Sequence, residues 1–291
     1  MKCSFRFRSV LFAVPSLVAL AIVGMGWSGA AQAGLIGYWP MNEGSGITTV
    51  DATNNSNISA GTLNAGSQNV ASTWVTGHTG LVGDYAIDFK GYSDRVVVPV
   101  TSSLGITNSF TIAMWAKSSL NNYPYLIEFS NNANGDARQW FIQGSNNGSD
   151  QMYMWSDANT NWRKALGFKE GGGGTAETTL WHHYAFSYSG GVVTPYVDGV
   201  AKTTQSISGS PNFPSFTNIL IGGKNQNFTS WEGQIDDVVI SNTASTPADI
   251  TAIKNGTYAG MAVPEPSTFA LLGIGAVGLI GYALRKRKQA A

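Results

Sequence analysis

Acids at alternate positions of a strand share a face, and two such carboxyl groups about 5–5.5 Å apart are what a retaining glycoside hydrolase needs. The stretch EGQID comes nearest, with Glu232, Gln234 and Asp236 alternating, but an amide holds the middle position. A polysaccharide hydrolase or lyase would have to use Glu232 and Asp236, and the glutamine between them argues for a chain without catalytic residues. The three histidines are His78, His182 and His183. Adjacent strand residues point to opposite faces, so His182 and His183 cannot grip one metal, and zinc has too few ligands. They read as histidines that satisfy backbone groups at a strand start. The sole cysteine is Cys3. No Ser-His-Asp pairing or phosphate-cradling loop is evident, and the glycine run at 171–174 is a flexible connection. Aromatics offer more. If Met152 and Met154 in QMYMWSD enter a core, Gln151, Tyr153 and Trp155 line the opposite face, with Trp140 and Trp162 nearby in sequence. Aromatic platforms beside amide and guanidinium donors suit sugar rings, whose C–H faces stack while their hydroxyls bond. The competing reading is that nine tryptophans simply fill a large core.

Short alternating runs separated by Gly, Asn, Ser and Pro must position these residues, a pattern of an antiparallel all-β sandwich. SFTIAMWAKS sets Phe110, Ile112 and Met114 against Thr111, Ala113 and Trp115. Gly190-Gly191 and Asp198-Gly199 supply the positive φ of two tight hairpin turns. One helix is expected in TPADITAIKNG, capped by Thr246, with Pro247 first, Asp249 third and Gly256 as its stop. Its expected role is to close the sandwich edge.

Both ends carry address labels. Lys2, Arg6 and Arg8 precede an apolar stretch that ends in Ala31-Gln32-Ala33, so residues 1–33 read as a signal peptide cut between Ala33 and Gly34. The mature chain then has no thiol, which excludes disulfides, thiolate metal sites and cysteine nucleophiles. Residues 34–258 form the folded body and 259–267 a linker into the tail. From 34 to 263, ten Lys/Arg face sixteen Asp/Glu, a net charge of 10 − 16 = −6. Such a surface argues against a nucleic-acid partner. At the far end, Pro264-Glu265-Pro266 precedes an apolar run at 269–284 and then Arg285-Lys286-Arg287-Lys288. As a helix the run is about 24 Å long, enough to cross a membrane with snorkelling ends. The basic end stays cytoplasmic and the body faces outward.

VPEPSTFALLGIGAVGLIGYALRKRK resembles the PEP-CTERM sorting signal over 264–288. That resemblance implies recognition and cutting by an exosortase, a membrane protease of Gram-negative bacteria that also make exopolysaccharide. It implies export through the inner membrane, transient anchoring by the C-terminus, then release to the cell surface or extracellular matrix. Within the body, LIGYWPMNEGSG, YAIDFKGYSDRVVVP, SFTIAMWAK, WHHYAFSY with VTPYVDG, and FTSWEGQIDDVVISNTASTPADI occur in order. Together they resemble the LamG-like jelly roll of the concanavalin A-like lectin/glucanase superfamily, from Leu35 to Ile253. The resemblance implies an all-β, antiparallel jelly-roll sandwich, and a structural Ca²⁺ held by Glu43, the Gly91 carbonyl, Asp94 and Asp237. The Glu-x-Asp-x-x-Glu arrangement of the superfamily's glucanases is absent. The reading is of a non-catalytic exported protein that binds a cell-surface glycan, exopolysaccharide or another protein. A polysaccharide hydrolase or a purely structural matrix protein is the alternative.

Overall fold

A computed structural model describes residues 34–64, 73–90, 94–118, 125–132, 138–143, 151–156, 162–169, 180–206, 216–223 and 231–257. For 118, 138–141, 143, 151–156 and 162–169 it describes the backbone alone. The expected leader, Gly91, the glycine run at 171–174 and the whole tail lie outside these residues. Among the described residues no helix is long and apolar enough to cross a membrane.

The strands form two antiparallel sheets. In the first, β14 (Val200–Ala201), β13 (Val192–Val197), β12 (His182–Ser189), β7 (Ser109–Ser118), β17 (Glu232–Ser241), β5 (Tyr85–Lys90) and β4 (Thr73–Thr76) lie side by side. Here β1 (Leu35–Trp39) also pairs with β17, and β15 (Gln205–Ser206) with β13. The second sheet runs β11 (Trp162–Lys169), β10 (Gln151–Ser156), β9 (Arg138–Gln143), β8 (Tyr125–Ser130), β16 (Asn218–Ile221), β6 (Arg95–Pro99), β3 (Gly61–Asn64) and β2 (Thr48–Thr49). This is the expected sandwich, and the period-two pattern explains it. Phe110, Ile112 and Met114 of β7 are fully buried in one core with Phe129 of β8, Ile142 of β9, Phe186 of β12 and Ile219 of β16. Each such side chain, moved from water into the core, stabilises the fold by about 1.5–3 kcal/mol. Both expected hairpin turns form, with φ of 54° and 91° at Gly190 and Gly191 and 54° and 84° at Asp198 and Gly199.

The helix α1 (Pro247–Lys254) has the expected start. The Thr246 amide donates to Asp249 Oδ2 at 2.8 Å, the Asp249 amide donates to Thr246 Oγ1 at 3.3 Å, and Pro247 opens the first turn. Its place differs from the expectation. Instead of closing an edge, α1 lies on the face of the first sheet that points away from the core, where Ile250 and Ile253 meet Ala113, Ala185 and Val239. Ala113, Ala185 and Val239 are cross-strand partners on the central strands β7, β12 and β17. Two alanines leave room for the helix there, which larger side chains would deny.

Candidate functional site

The aromatic residues singled out above sit on β9, β10 and β11, and the ladder sorts them. Ile142 is buried in the core and pairs with Met154. Trp140 and Trp162 both pair with Ser156, two positions on from Met154, and therefore hold core-side positions. Tyr153 pairs with Gln143 and Ala165, and Trp155 with Phe141 and Arg163, at positions of the opposite parity. Gln151 pairs with Lys169 beyond a register shift. The register thus splits the five residues: Tyr153 and Trp155 take the outer face of the second sheet, whereas Trp140 and Trp162 do not join them.

The same register adds a residue that the sequence reading passed over. On β8, Ile127 and Phe129 are core residues, and Glu128 between them pairs with Phe141 on one side and Leu220 on the other. Continuing outward, Leu220 pairs with Val97 and Val97 with Thr62. One outer row therefore runs Thr62, Val97, Leu220, Glu128, Phe141, Trp155, Arg163 across the second sheet. Glu128, 0 % exposed, stands near its middle. A lone acid inside the apolar run YLIEFS was the available signal. Burial puts Glu128 out of a ligand's reach, and the aromatic and guanidinium residue types at the β9–β11 end of the row are those that suit a polyhydroxylated ligand.

The outer face of the first sheet carries a second polar cluster. The register of β17 slips between Asp236 and Val239, and Asp237 adopts φ 48°. At this bulge the carboxylates of Asp236 and Asp237 both come to the imidazole of His78, although neighbouring strand residues normally point apart. Asp236 Oδ2 accepts from the His78 amide at 3.0 Å and from His78 Nδ1 at 2.8 Å, while Asp237 Oδ2 is 3.8 Å from Nδ1. Tyr38 donates its hydroxyl to Asp237 Oδ1 at 2.7 Å. The His78 ring stacks on Trp115 with centroids 4.4 Å apart. Burial works against a charged His78, but the hydrogen bond and charge of Asp236, helped by Asp237 and Asp84, raise its pKa above the ordinary value. Burial, then the adjacent Asp236 charge, pushes Asp237 up to about 6. Burial also raises Asp236, against the hydrogen bonds from His78. His183, the cross-strand partner of Trp115, has neither ring nitrogen hydrogen-bonded, and burial lowers its pKa to about 3.

This geometry bears on the alternative hydrolytic pair and on the expected calcium ligands. Glu232 and Asp236 stand four residues apart on β17, about 13 Å at 3.3 Å per residue, which exceeds the spacing of either hydrolytic mechanism. Asp236 is moreover 0 % exposed and engaged by His78, so no sugar can reach it. The pair is not hydrolytic. The expected calcium ligands do not converge either. Glu43 accepts from the Val50 amide at 2.8 Å and Asp94 from the Lys90 amide at 3.2 Å, while Asp237 holds Tyr38. Among the described residues Glu43, Asp94 and Asp237 form no group at metal-ligand spacing. Among the described residues the group of three whose ligand atoms all lie within 4.8 Å of one another is His78, Asp84 and Asp236, and Asp236 is already filled by three N–H donors. Gly91, the fourth of the expected calcium ligands, lies outside the described residues.

Comparison with known proteins follows the same lines. The family model described as "Concanavalin A-like lectin/glucanases superfamily" matches residues 90–251, more than half of the chain. The PEP-CTERM protein-sorting motif matches 262–288. No curated protein sequence matches significantly. Among solved structures, domain 4 of AbnA, a GH43 extracellular arabinanase from Geobacillus stearothermophilus, in complex with arabinotriose, is similar with a TM-score of 0.57 and 19 % identity. It covers 77 % of this chain and 99 % of its own. The binding domain of botulinum neurotoxin serotype G is similar at TM-score 0.55 and 15 % identity, over 76 % of this chain and 50 % of the toxin domain. The binding domain of Paraclostridial Mosquitocidal Protein 1 reaches TM-score 0.56 at 14 % identity, over 77 % and 52 %. The chain thus spans about half the length of the toxin domains, and at these identities the likeness is one of fold.

Proposed function

The chain belongs to the concanavalin A-like lectin/glucanases superfamily, and from that premise we propose an exported, non-catalytic protein that binds carbohydrate at the bacterial surface or in the extracellular matrix. The PEP-CTERM motif indicates export and exosortase processing. In this reading the body crosses the inner membrane, is held briefly by the tail, and is then cut near Pro264-Glu265-Pro266. The ligand is a glycan of the cell surface or exopolysaccharide.

The observation that carries the reading is the outer row of the second sheet, where the ladder sets Phe141 of β9, Trp155 of β10 and Arg163 of β11 at directly paired positions. An aromatic position offers a stacking plane and a guanidinium donates to hydroxyls. The arabinanase domain bound to arabinotriose supports a saccharide on this fold. A glycan array probed with the intact protein, beside a Trp155→Ala variant, tests it. The expected result is a defined set of bound glycans, with signal reduced at least tenfold in Trp155→Ala; an array blank for the folded wild type would refute the reading.

A further inference from the structure

The described residues include seven exposed large hydrophobic side chains, and two of them flank the His182–Asp198 pair beside the end of α1. Leu180 and Val200 are each 61 % exposed. Leu180 stands two residues before His182, and Val200 two residues after Asp198. His182 Nδ1 lies 2.8 Å from Asp198 Oδ2, so both apolar residues belong to one corner of the first sheet. The end of α1 joins them: Lys254 donates from Nζ to the Asp198 carbonyl at 3.3 Å, and its side chain passes beside Gly199. Trp181, next to Leu180, has Lys117 Nζ 5.1 Å above its ring, and Lys202 follows Val200 by two residues. A body whose net charge is −6 thus gathers three lysines at this corner; Asp198 there is paired with His182, and the nearby Asp236 and Asp237 are engaged by His78, whose ring is 6.3 Å from that of Trp181.

We propose that, while the tail is uncut, this corner is the surface by which the body docks on anionic phospholipid headgroups. The inference rests on the sorting reading given above. Thr257 is the last described residue and the apolar run begins at Phe269, a difference of 269 − 257 = 12 residues. Fully extended, that tether reaches about 40 Å, whereas a body of this length is about 45 Å across. The exit corner therefore stays on the membrane side, and the outer face of the second sheet, across the core from α1, is directed away. Leucine, valine and tryptophan flanked by lysines suit the interfacial zone, where aliphatic groups and ring enter the headgroup layer while ammonium groups meet phosphate. The saccharide face is left open during tethering.

A test uses the chain from Gly34 with its tail intact, which has no cysteine of its own, carrying one new cysteine at Val200→Cys, Leu180→Cys or Ile47→Cys. Ile47 is 64 % exposed, and its carbonyl accepts from the Leu63 amide at the far edge of the second sheet. Each variant is labelled with an environment-sensitive fluorophore and reconstituted into phosphatidylethanolamine/phosphatidylglycerol vesicles containing a headgroup-linked quencher. Docking predicts at least threefold stronger quenching at 180 and 200 than at 47. Equal quenching at all three positions, in protein that floats with the vesicles, overturns the docking surface and leaves the sorting reading intact. Protein that fails to float with the vesicles overturns the tail reading, and the docking surface with it.

Discussion

His183 and Asp237 lie on the same outer face of the first sheet and respond to acid in opposite senses. The folded His183 titrates near 3 instead of 6.5. Between those values the unfolded chain binds the extra proton, so its contribution is complete above pH 6.5 and is lost as pH falls. Asp237 is raised from 3.8 to about 6, so the folded chain binds the extra proton between those values. Its contribution favours the fold at low pH and is lost as pH rises through 6; the raised His78 and Asp236 act in the same direction. From pH 7 to 5 the two residues offset one another, at about 2 kcal/mol for His183 and somewhat less for Asp237. Urea midpoints should show this. His183→Phe is expected to gain stability on acidification, and Asp237→Asn to lose it, whereas profiles parallel to the wild type in both would contradict the account. None of this was visible in the sequence, because His78 and Asp236 are 158 residues apart and the bulge at Asp237 breaks the alternation on which strand readings depend.

Local elements were legible where their signals are local. The Thr246-Pro247 start of α1 and the glycine-containing turns at 190–191 and 198–199 follow from short-range chemistry, and all of them form. What α1 packs on was not legible, since Ala113, Ala185 and Val239 come together only through strand pairing. The same limit misplaced two aromatics: Trp140 and Trp162 are close to Trp155 in sequence, yet cross-strand register gives them the other parity. Two substitutions separate the helix's start from its seat. Thr246→Ala removes the cap and should cost about 1 kcal/mol. Ala113→Leu forces a larger side chain beneath Ile250 and should cost about 1–3 kcal/mol. Chemical denaturation measures both, and a neutral Ala113→Leu would show that α1 does not rest on the central strands.

For the molecule as a whole, two sheets enclose one core and expose two unlike outer faces. The first carries α1, the His78–Asp236–Asp237 knot and the chain's exit; the second carries the row with Glu128, Trp155 and Arg163. Sequence order of five motifs was enough to indicate the sandwich, because strand patterns and turns recur throughout the body. The face proposed to serve a ligand needed the ladder, which pairs Trp155 and Arg163 from separate strands. Backbone amide mapping by NMR, titrating the isotope-labelled protein with a glycan selected on the array, asks where the ligand sits. Shifts are predicted to concentrate on β8, β9, β10 and β11. Shifts confined to β17, α1 and the turn at His78, with those four strands unmoved, would contradict carbohydrate binding on the second sheet.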